Sequence, residues 1–65
     1  MLRKDLLRYL RVHGCLLVRE GQRHSVFINP KLERTSTVPR HNEIDDFLAE
    51  KICKDLGISS IRRKH

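Results

Sequence analysis

Residues 14–30, GCLLVREGQRHSVFINP, decide the fold, because two apolar runs are separated there by a polar turn. The first run, Cys15 to Val18, is too short for a helix and leads into the polar segment REGQR. The second run, His24 to Asn29, is rich in β-branched and aromatic residues. Pro30 then ends it, since proline cannot donate a hydrogen bond to a sheet. This stretch therefore predicts a β-hairpin.

Amphipathic helices are predicted on both sides of this hairpin. Before it, leucines recur every four residues and basic residues fill much of the other side; Gly14 can close this helix by adopting a left-handed backbone. After it, residues 40–58, RHNEIDDFLAEKICKDLGI, predict a second helix with Asn42 or Asp45 as its N-cap and Gly57 as its left-handed C-cap. The apolar stripes consist of Leu2, Leu6 and Leu10 in the first helix and of Leu48, Ile52 and Leu56 in the second.

A third strand is predicted at Thr35 to Val38, where β-branched residues precede Pro39. The order is then α-β-β-β-α. The simplest way to bury the apolar faces is an α+β fold, with a three-stranded antiparallel sheet and two helices packed on one face. The opposite face of the sheet stays open to solvent. We expect a single domain over residues 1–58, followed by a basic, frayed tail at 59–65.

The size and the charge of the chain favour a large, anionic partner. A chain of 65 residues has too thin a core to line a deep pocket easily. Its net charge is +6, and residues 1–40 hold nine basic and three acidic side chains, whereas residues 41–56 hold five acidic and two basic ones. Such asymmetry is typical of proteins that bind a phosphate backbone, although small domains also carry excess charge for solubility.

Cys15 and Cys53 are far apart in the sequence and form no zinc or redox motif, so we expect two small buried hydrophobic side chains in a reducing compartment. Charged residues interrupt the apolar N-terminus, and no stretch reaches the about 20 apolar residues of a spanning helix. These features predict a cytoplasmic protein. Nothing in the sequence indicates a cofactor or a metal.

The segments GCLLVREGQRHSVFINP, TVPRHNEI and ICKDLGI, in this order and spacing, resemble the HicA family of bacterial toxins. Members are small RNA-cleaving proteins with a fold similar to the double-stranded RNA-binding domain. The resemblance runs from Leu2 to Ile58. Members commonly carry Gly-Ser-His at the hairpin, where the histidine is catalytic. Here His24 has that place, Gln22 and Arg23 precede it, and the glycine is shifted to Gly21.

The resemblance implies a type II toxin, a metal-independent endoribonuclease (mRNA interferase), with His24 as its catalytic residue and a HicB-like antitoxin as its partner. In RNA scission the ribose 2′-hydroxyl loses a proton while it attacks phosphorus, and the leaving 5′ oxygen gains one. An imidazole can do either near neutral pH. Arg19, Arg23 and Arg40 are candidates for neutralising the transition-state charge, because a guanidinium grips phosphate through two donors.

Several residue roles stay open. His41 is either a second proton carrier, a phosphate contact or, as we favour, a capping residue at the entry to the second helix. The basic residues of the first helix, Arg3, Lys4, Arg8 and Arg11, either contact RNA or form the solvated face of that helix. Strand alternation sets His24 on the same face as Val26 and Ile28. If those two face the helices, His24 must escape the core at the strand end or through a bulge at Arg23.

Two further functions compete with the ribonuclease. The first is a non-catalytic RNA-binding module of the same fold, for which binding without cleavage is the discriminating observation. The second is a protein-interaction domain whose basic surface meets an acidic partner, which competing RNA would not displace. With only Tyr9, Phe27 and Phe47 as aromatic residues, the sequence offers no platform for stacking single-stranded bases.

Overall fold

A computed structural model describes residues 1–61 and has the predicted order of elements. The elements are α1 (Arg3–Val12), β1 (Leu16–Glu20), β2 (His24–Asn29), β3 (Arg34–Pro39) and α2 (Asp46–Leu56). The α-β-β-β-α prediction is confirmed, and so are the predicted bounds of β2. The polar turn is shorter than predicted, because Arg19 and Glu20 continue β1 and only three residues separate it from β2.

The three strands form one antiparallel sheet in the order β1-β2-β3, so β2 is central. Its first residue, His24, lies opposite Pro39 of β3, and Ser25 lies opposite both Val38 and Glu20. The pairing of β1 with β2 is interrupted by a bulge between Leu17 and Arg19. The two edge strands are short, with five residues in β1 and six in β3. His24 is the first residue of the central strand.

Both helices pack on one face of this sheet, as predicted. The core consists of Leu6, Leu10, Cys15, Phe27, Val38, Ile44, Ala49, Ile52, Cys53 and Leu56. The two cysteines are unpaired and fully buried, which confirms their predicted role as core residues. Burial raises the pKa of both thiols. Among the residues that the structure describes, no helix packs on the other face, and every residue of β1 is exposed.

Glycines end both helices in the left-handed conformation, as predicted. Gly14 has a φ of +87° and Gly57 a φ of +75°. The amide of Ile58 then donates to the carbonyl of Cys53 at 3.0 Å, and the Ile58 side chain packs against the core. This reversal closes the last turn of α2 and returns the chain towards the core.

Side chains of the sheet close the C-terminal end of α2. The amide nitrogen Nδ2 of buried Asn29 donates to the carbonyl of Leu56 at 2.7 Å, and Nε of Arg34 donates to the carbonyl of Asp55 at 2.9 Å. The last carbonyls of a helix lack partners within the helix, so these bonds satisfy them and fix α2 against β2 and β3.

The chain after Ile58 remains in contact with the domain as far as it is described. The hydroxyl of Tyr9 donates to the carbonyl of Ser59 at 2.9 Å, and Ile61 packs against the core. Residues 62–65, most of the predicted frayed tail, lie outside the described residues. Neither α1 nor α2 has the length and apolar content needed to cross a bilayer.

Candidate active site

The turn between β1 and β2 brings two backbone segments very close together. The amide of Gly21 donates to the carbonyl of His24 at 2.7 Å. A Cβ atom at position 21 would lie 3.1 Å from that same carbonyl oxygen, closer than most side chains tolerate. This close approach favours glycine at position 21, and the bond joins the turn to His24, the first residue of β2.

The side chain of His24 lies on the open face of the sheet. Along β2 the residues Ser25, Phe27 and Asn29 are buried towards the helices, whereas Val26 and Ile28 alternate with them on the other face and are only half-buried. His24 shares the face of Val26 and Ile28, and it is exposed. The alternative in which Val26 and Ile28 face the helices is therefore wrong, and His24 reaches solvent without a bulge at Arg23.

The end of β3 places basic side chains beside this histidine. The amide of Arg40 donates to the carbonyl of Arg23 at 3.1 Å, which joins the residue after β3 to the hairpin turn. A shallow surface depression, here called the turn-side depression, results. It is lined by Gln22, Arg23, His24, Pro39, Arg40 and His41.

A second depression includes Val26 and therefore extends from His24 onto the open face of the sheet. This sheet-side depression is lined by Arg19, Gly21, Gln22, Arg23, His24 and Val26. His24 and Arg23 thus belong to both depressions, with Arg19 on one side and Arg40 on the other. The structure brings together four of the residues predicted from the sequence, and His41 as a fifth.

Arg19 and Arg23 differ from Arg40 in their freedom to meet a ligand. Nη1 of Arg40 donates to the carbonyl of Gly21 at 2.9 Å, and its Nε lies 3.4 Å from Oε2 of Glu20. Arg40 therefore fastens the end of β3 to the hairpin. Arg19 and Arg23 are exposed, and their side chains have no hydrogen-bond or ion-pair partner within residues 1–61. They are the available guanidinium groups of the site.

A polar network behind the sheet holds the strand ends on which His24 sits. Nη2 of Arg3 donates to Oγ of Ser25 at 2.8 Å, and its Nε donates to the carbonyl of Pro39, also at 2.8 Å. Oγ of Ser25 in turn donates to Oε2 of Glu20 at 3.0 Å. One side chain of α1 therefore connects the residue next to His24 with the residue opposite it.

Sequence reasoning missed this network. The sequence groups Arg3 with the other basic residues of α1, on the solvated face or against RNA, but in the structure its side chain is half-buried and bonded to Ser25 and Pro39. Nothing in the local sequence points to Ser25 or Glu20 as its neighbours. One signal for the network was present in the sequence. Ser25 is polar, yet strand alternation places it on the same face as the apolar Phe27. A buried hydroxyl there requires partners, although their identity depends on contacts 22 residues apart in the chain.

The remaining predicted basic residues lie apart from His24. Lys4, Arg8 and Arg11 are exposed on α1, and none of them lines either depression. Arg8 also lies 3.4 Å from Oδ1 of Asp5, one turn before it. A contact between these three side chains and RNA stays a prediction.

His41 has a different position from the one we favoured. The N-cap of α2 is Asp45, four residues after His41, so the capping role predicted for His41 is wrong. His13 is the C-cap of α1 and its ring centre lies 4.3 Å from that of Tyr9. Within residues 1–61, no three His, Cys, Asp or Glu side chains are grouped so that they could hold a metal ion.

Comparison with known proteins identifies the family of the chain. A family model described as the HicA toxin of bacterial toxin-antitoxin systems matches residues 3–58, which is most of the chain. The match begins with Arg3 of α1, spans all three strands and ends with Ile58. Neither a curated protein nor a solved structure matches the chain.

Proposed function

Since the chain belongs to the HicA family of bacterial toxins, which are generally ribonucleases, we propose that it is an endoribonuclease that cleaves mRNA with His24 as its catalytic residue. The observation that carries this proposal is the position of His24. It is an exposed imidazole at the end of the central strand, between two arginine-lined depressions. Such a group is accessible to a polymer that does not fit a closed pocket.

The proposed reaction is an internal transfer of a phosphodiester. The ribose 2′-oxygen forms a bond to phosphorus and loses its proton, while the bond from phosphorus to the leaving 5′-oxygen breaks and that oxygen gains a proton. The products are a 2′,3′-cyclic phosphate and a 5′-hydroxyl. An imidazole changes protonation state near neutral pH and suits either transfer, each worth roughly 10²- to 10⁴-fold in rate.

His41 is the proposed partner in this proton exchange. It lines the same turn-side depression as His24, and its alternative as a helix cap has been removed. If one imidazole acts as base and the other as acid, the rate depends on pH as a bell-shaped curve. The variant His41→Ala should then lose one limb of that curve while it keeps part of the activity.

Positive charge around His24 supports the same mechanism. Phosphorus in the transition state carries extra negative charge, which fixed cationic donors stabilise. Arg19 and Arg23 are free to make such contacts, whereas Arg40 is tied to Glu20 and shapes the turn. The proposed mechanism uses no metal, because imidazoles can carry both protons and guanidinium groups can neutralise the charge. Lys4, Arg8 and Arg11 would hold more distant phosphates.

Family membership also implies an antitoxin partner. We take that partner to be HicB-like, and mRNA as the substrate places the activity in the cytoplasm. An antitoxin that covers the open face at His24 would block RNA from both depressions.

The test is cleavage of a long RNA by purified protein in the presence of a chelator. Wild type should release fragments, and His24→Ala should cleave at least about 100-fold more slowly, given the usual effect of a lost proton carrier. The matched control is His13→Ala, since His13 is also exposed but caps α1 and lines neither depression. Circular dichroism should show that both variants fold.

Two outcomes would overturn the proposal. Undiminished cleavage by His24→Ala removes this residue from the mechanism. Binding of RNA by wild type without any fragments, with affinity that falls steeply as salt rises, instead supports the non-catalytic RNA-binding module.

A further inference from the structure

The open face of the sheet carries an apolar strip that the proposed RNA chemistry does not use. The strip consists of Leu16, Val18, Val26 and Ile28. Leu16 lies opposite Ile28, and the bulge sets Val18 and Arg19 opposite Val26. Leu16 and Val18 are each 56% exposed, which is high for aliphatic side chains in a sheet. Within residues 1–61, no helix covers this face.

RNA is a poor occupant of this strip. Protein sheets that bind single-stranded RNA stack bases on aromatic side chains. Here Phe27 points into the core, and Tyr9 and Phe47 belong to the helices, so no Phe or Tyr ring lies on the open face, and the imidazole of His24 lies at the strand end beside the strip. Phosphates seek cations and hydrogen-bond donors, which aliphatic side chains cannot supply. The occupant that gains by covering this strip is therefore another apolar protein surface.

The charges beside the strip restrict that protein further. Val26 lines the sheet-side depression together with Arg19, Arg23 and His24, so the apolar strip continues directly into the basic surface. A protein seated on the strip meets two unpaired guanidinium groups at its rim. Carboxylates at those positions would complement them and accelerate association. A second copy of this chain in a symmetric contact would instead bring arginines against arginines.

We propose that the antitoxin docks on this strip through aliphatic or aromatic side chains and reaches Arg19 and Arg23 with acidic ones. The assignment of the partner rests on the family and on the proposed function of the site. In this arrangement the strip anchors the antitoxin, and the bound antitoxin covers His24 on the same face. Substitutions in the strip should then free the toxin from its antitoxin without removing its chemistry.

The experiment compares Val18→Asp with Val12→Asp. Val18 is the bulged residue of an edge strand and, with Arg19, shares Val26 as its opposite residue, so the charge is introduced where the fold tolerates it best. Val12 is 75% exposed at the end of α1, off the strip, and receives the same change. Binding of a purified HicB-like antitoxin is measured by calorimetry, and RNA cleavage is measured in parallel.

Val18→Asp should weaken antitoxin binding at least 10-fold and still cleave RNA within about threefold of wild type, whereas Val12→Asp should bind within about twofold. Leu16→Ser serves as a second strip variant with the same expected outcome. Retained cleavage and an unchanged circular dichroism spectrum exclude unfolding as the cause. In cells, Val18→Asp should arrest growth even when the antitoxin is co-expressed.

Wild-type affinity in both strip variants would overturn the proposal. So would a wild-type dimer in sedimentation that Val18→Asp dissociates while antitoxin binding is unchanged, because the strip would then join two copies of the chain. Failure of the proposed ribonuclease activity can be distinguished from failure of the docking proposal. If wild type does not cleave RNA but the strip variants still lose the antitoxin, the docking assignment stands and the catalytic one fails.

Discussion

Replacing Arg3 with Met tests whether the network behind the sheet holds the site together. Arg3 donates one hydrogen bond to Oγ of Ser25 and one to the carbonyl of Pro39, both at 2.8 Å. Its side chain is half-buried, so water replaces these bonds only in part. Methionine keeps the aliphatic part of the side chain and has a helix propensity close to that of arginine. The substitution therefore removes the two bonds and the charge, with little other change.

The expected cost follows from those two bonds. A net contribution of about 1 kcal/mol for each gives a loss of about 2 kcal/mol in the free energy of unfolding. This corresponds to a decrease of about 30-fold in the folding equilibrium constant. A domain of this length has roughly 3–10 kcal/mol in total, so the loss is a large fraction.

Lys4→Met provides the matched control, because it removes a positive charge from the next residue of the same helix. Lys4 is exposed and its side chain makes no hydrogen bond or ion pair within residues 1–61. Its substitution should change stability by less than about 0.5 kcal/mol. Urea unfolding followed by far-ultraviolet circular dichroism measures both. Equal transition midpoints for Arg3→Met and Lys4→Met would refute the structural role assigned to the network.

Further predictions concern the C-terminal end of α2 and the ion pair between Lys51 and Asp55. Gly57→Ala should lower the free energy of unfolding by about 1–2 kcal/mol in thermal melts, because a side chain at positive φ is strained, and by more than Gly14→Ala. The reason for the difference is that a Cβ at position 57 would lie 2.6 Å from Cδ1 of Leu32, whereas position 14 has open space; equal losses would argue against it. The hydrogen bond from Lys51 lowers the pKa of Asp55 below its ordinary value of 3.8. The resulting stabilisation, about 0.2–1 kcal/mol for so exposed a pair, is present above about pH 4 and lost as the pH falls further. Asp55→Asn should therefore melt at a lower temperature than wild type at pH 7 but close to it at pH 2, and a gap that persists at pH 2 would contradict this origin.

The elements were predictable where a local pattern determines them. The four-residue spacing of leucines gave α1, and β-branched and aromatic residues gave β2 with its bounds. The face of β2 that is buried was harder to predict. Hydrophobicity alone favours Val26 and Ile28 over Ser25 and Asn29 as the core-facing residues. Those two polar residues are buried because Arg3 and the carbonyl of Leu56 bind them, and both partners are distant in sequence.

The candidate site likewise has some features that the local sequence predicts and others that depend on the fold. The position of His24 in a hairpin followed from the residues around it, and a catalytic role for it came from the resemblance to a family. The approach of Arg40 and His41 to the hairpin could not be predicted, because it depends on the pairing of β2 with β3 and on the bond from Arg40 to Arg23. The distinction between the free Arg23 and the fastened Arg40 likewise required three-dimensional structure.

The bulge in β1 has a consequence for the behaviour of the chain at high concentration. An outer strand with aliphatic side chains is a template on which further chains add in register and form fibres. At Val18 the extra residue shifts the repeat of amides and carbonyls, so an incoming strand cannot stay in register along all of Leu16–Glu20. The molecule therefore presents an apolar surface for recognition, while the bulged edge of β1 resists the addition of further strands.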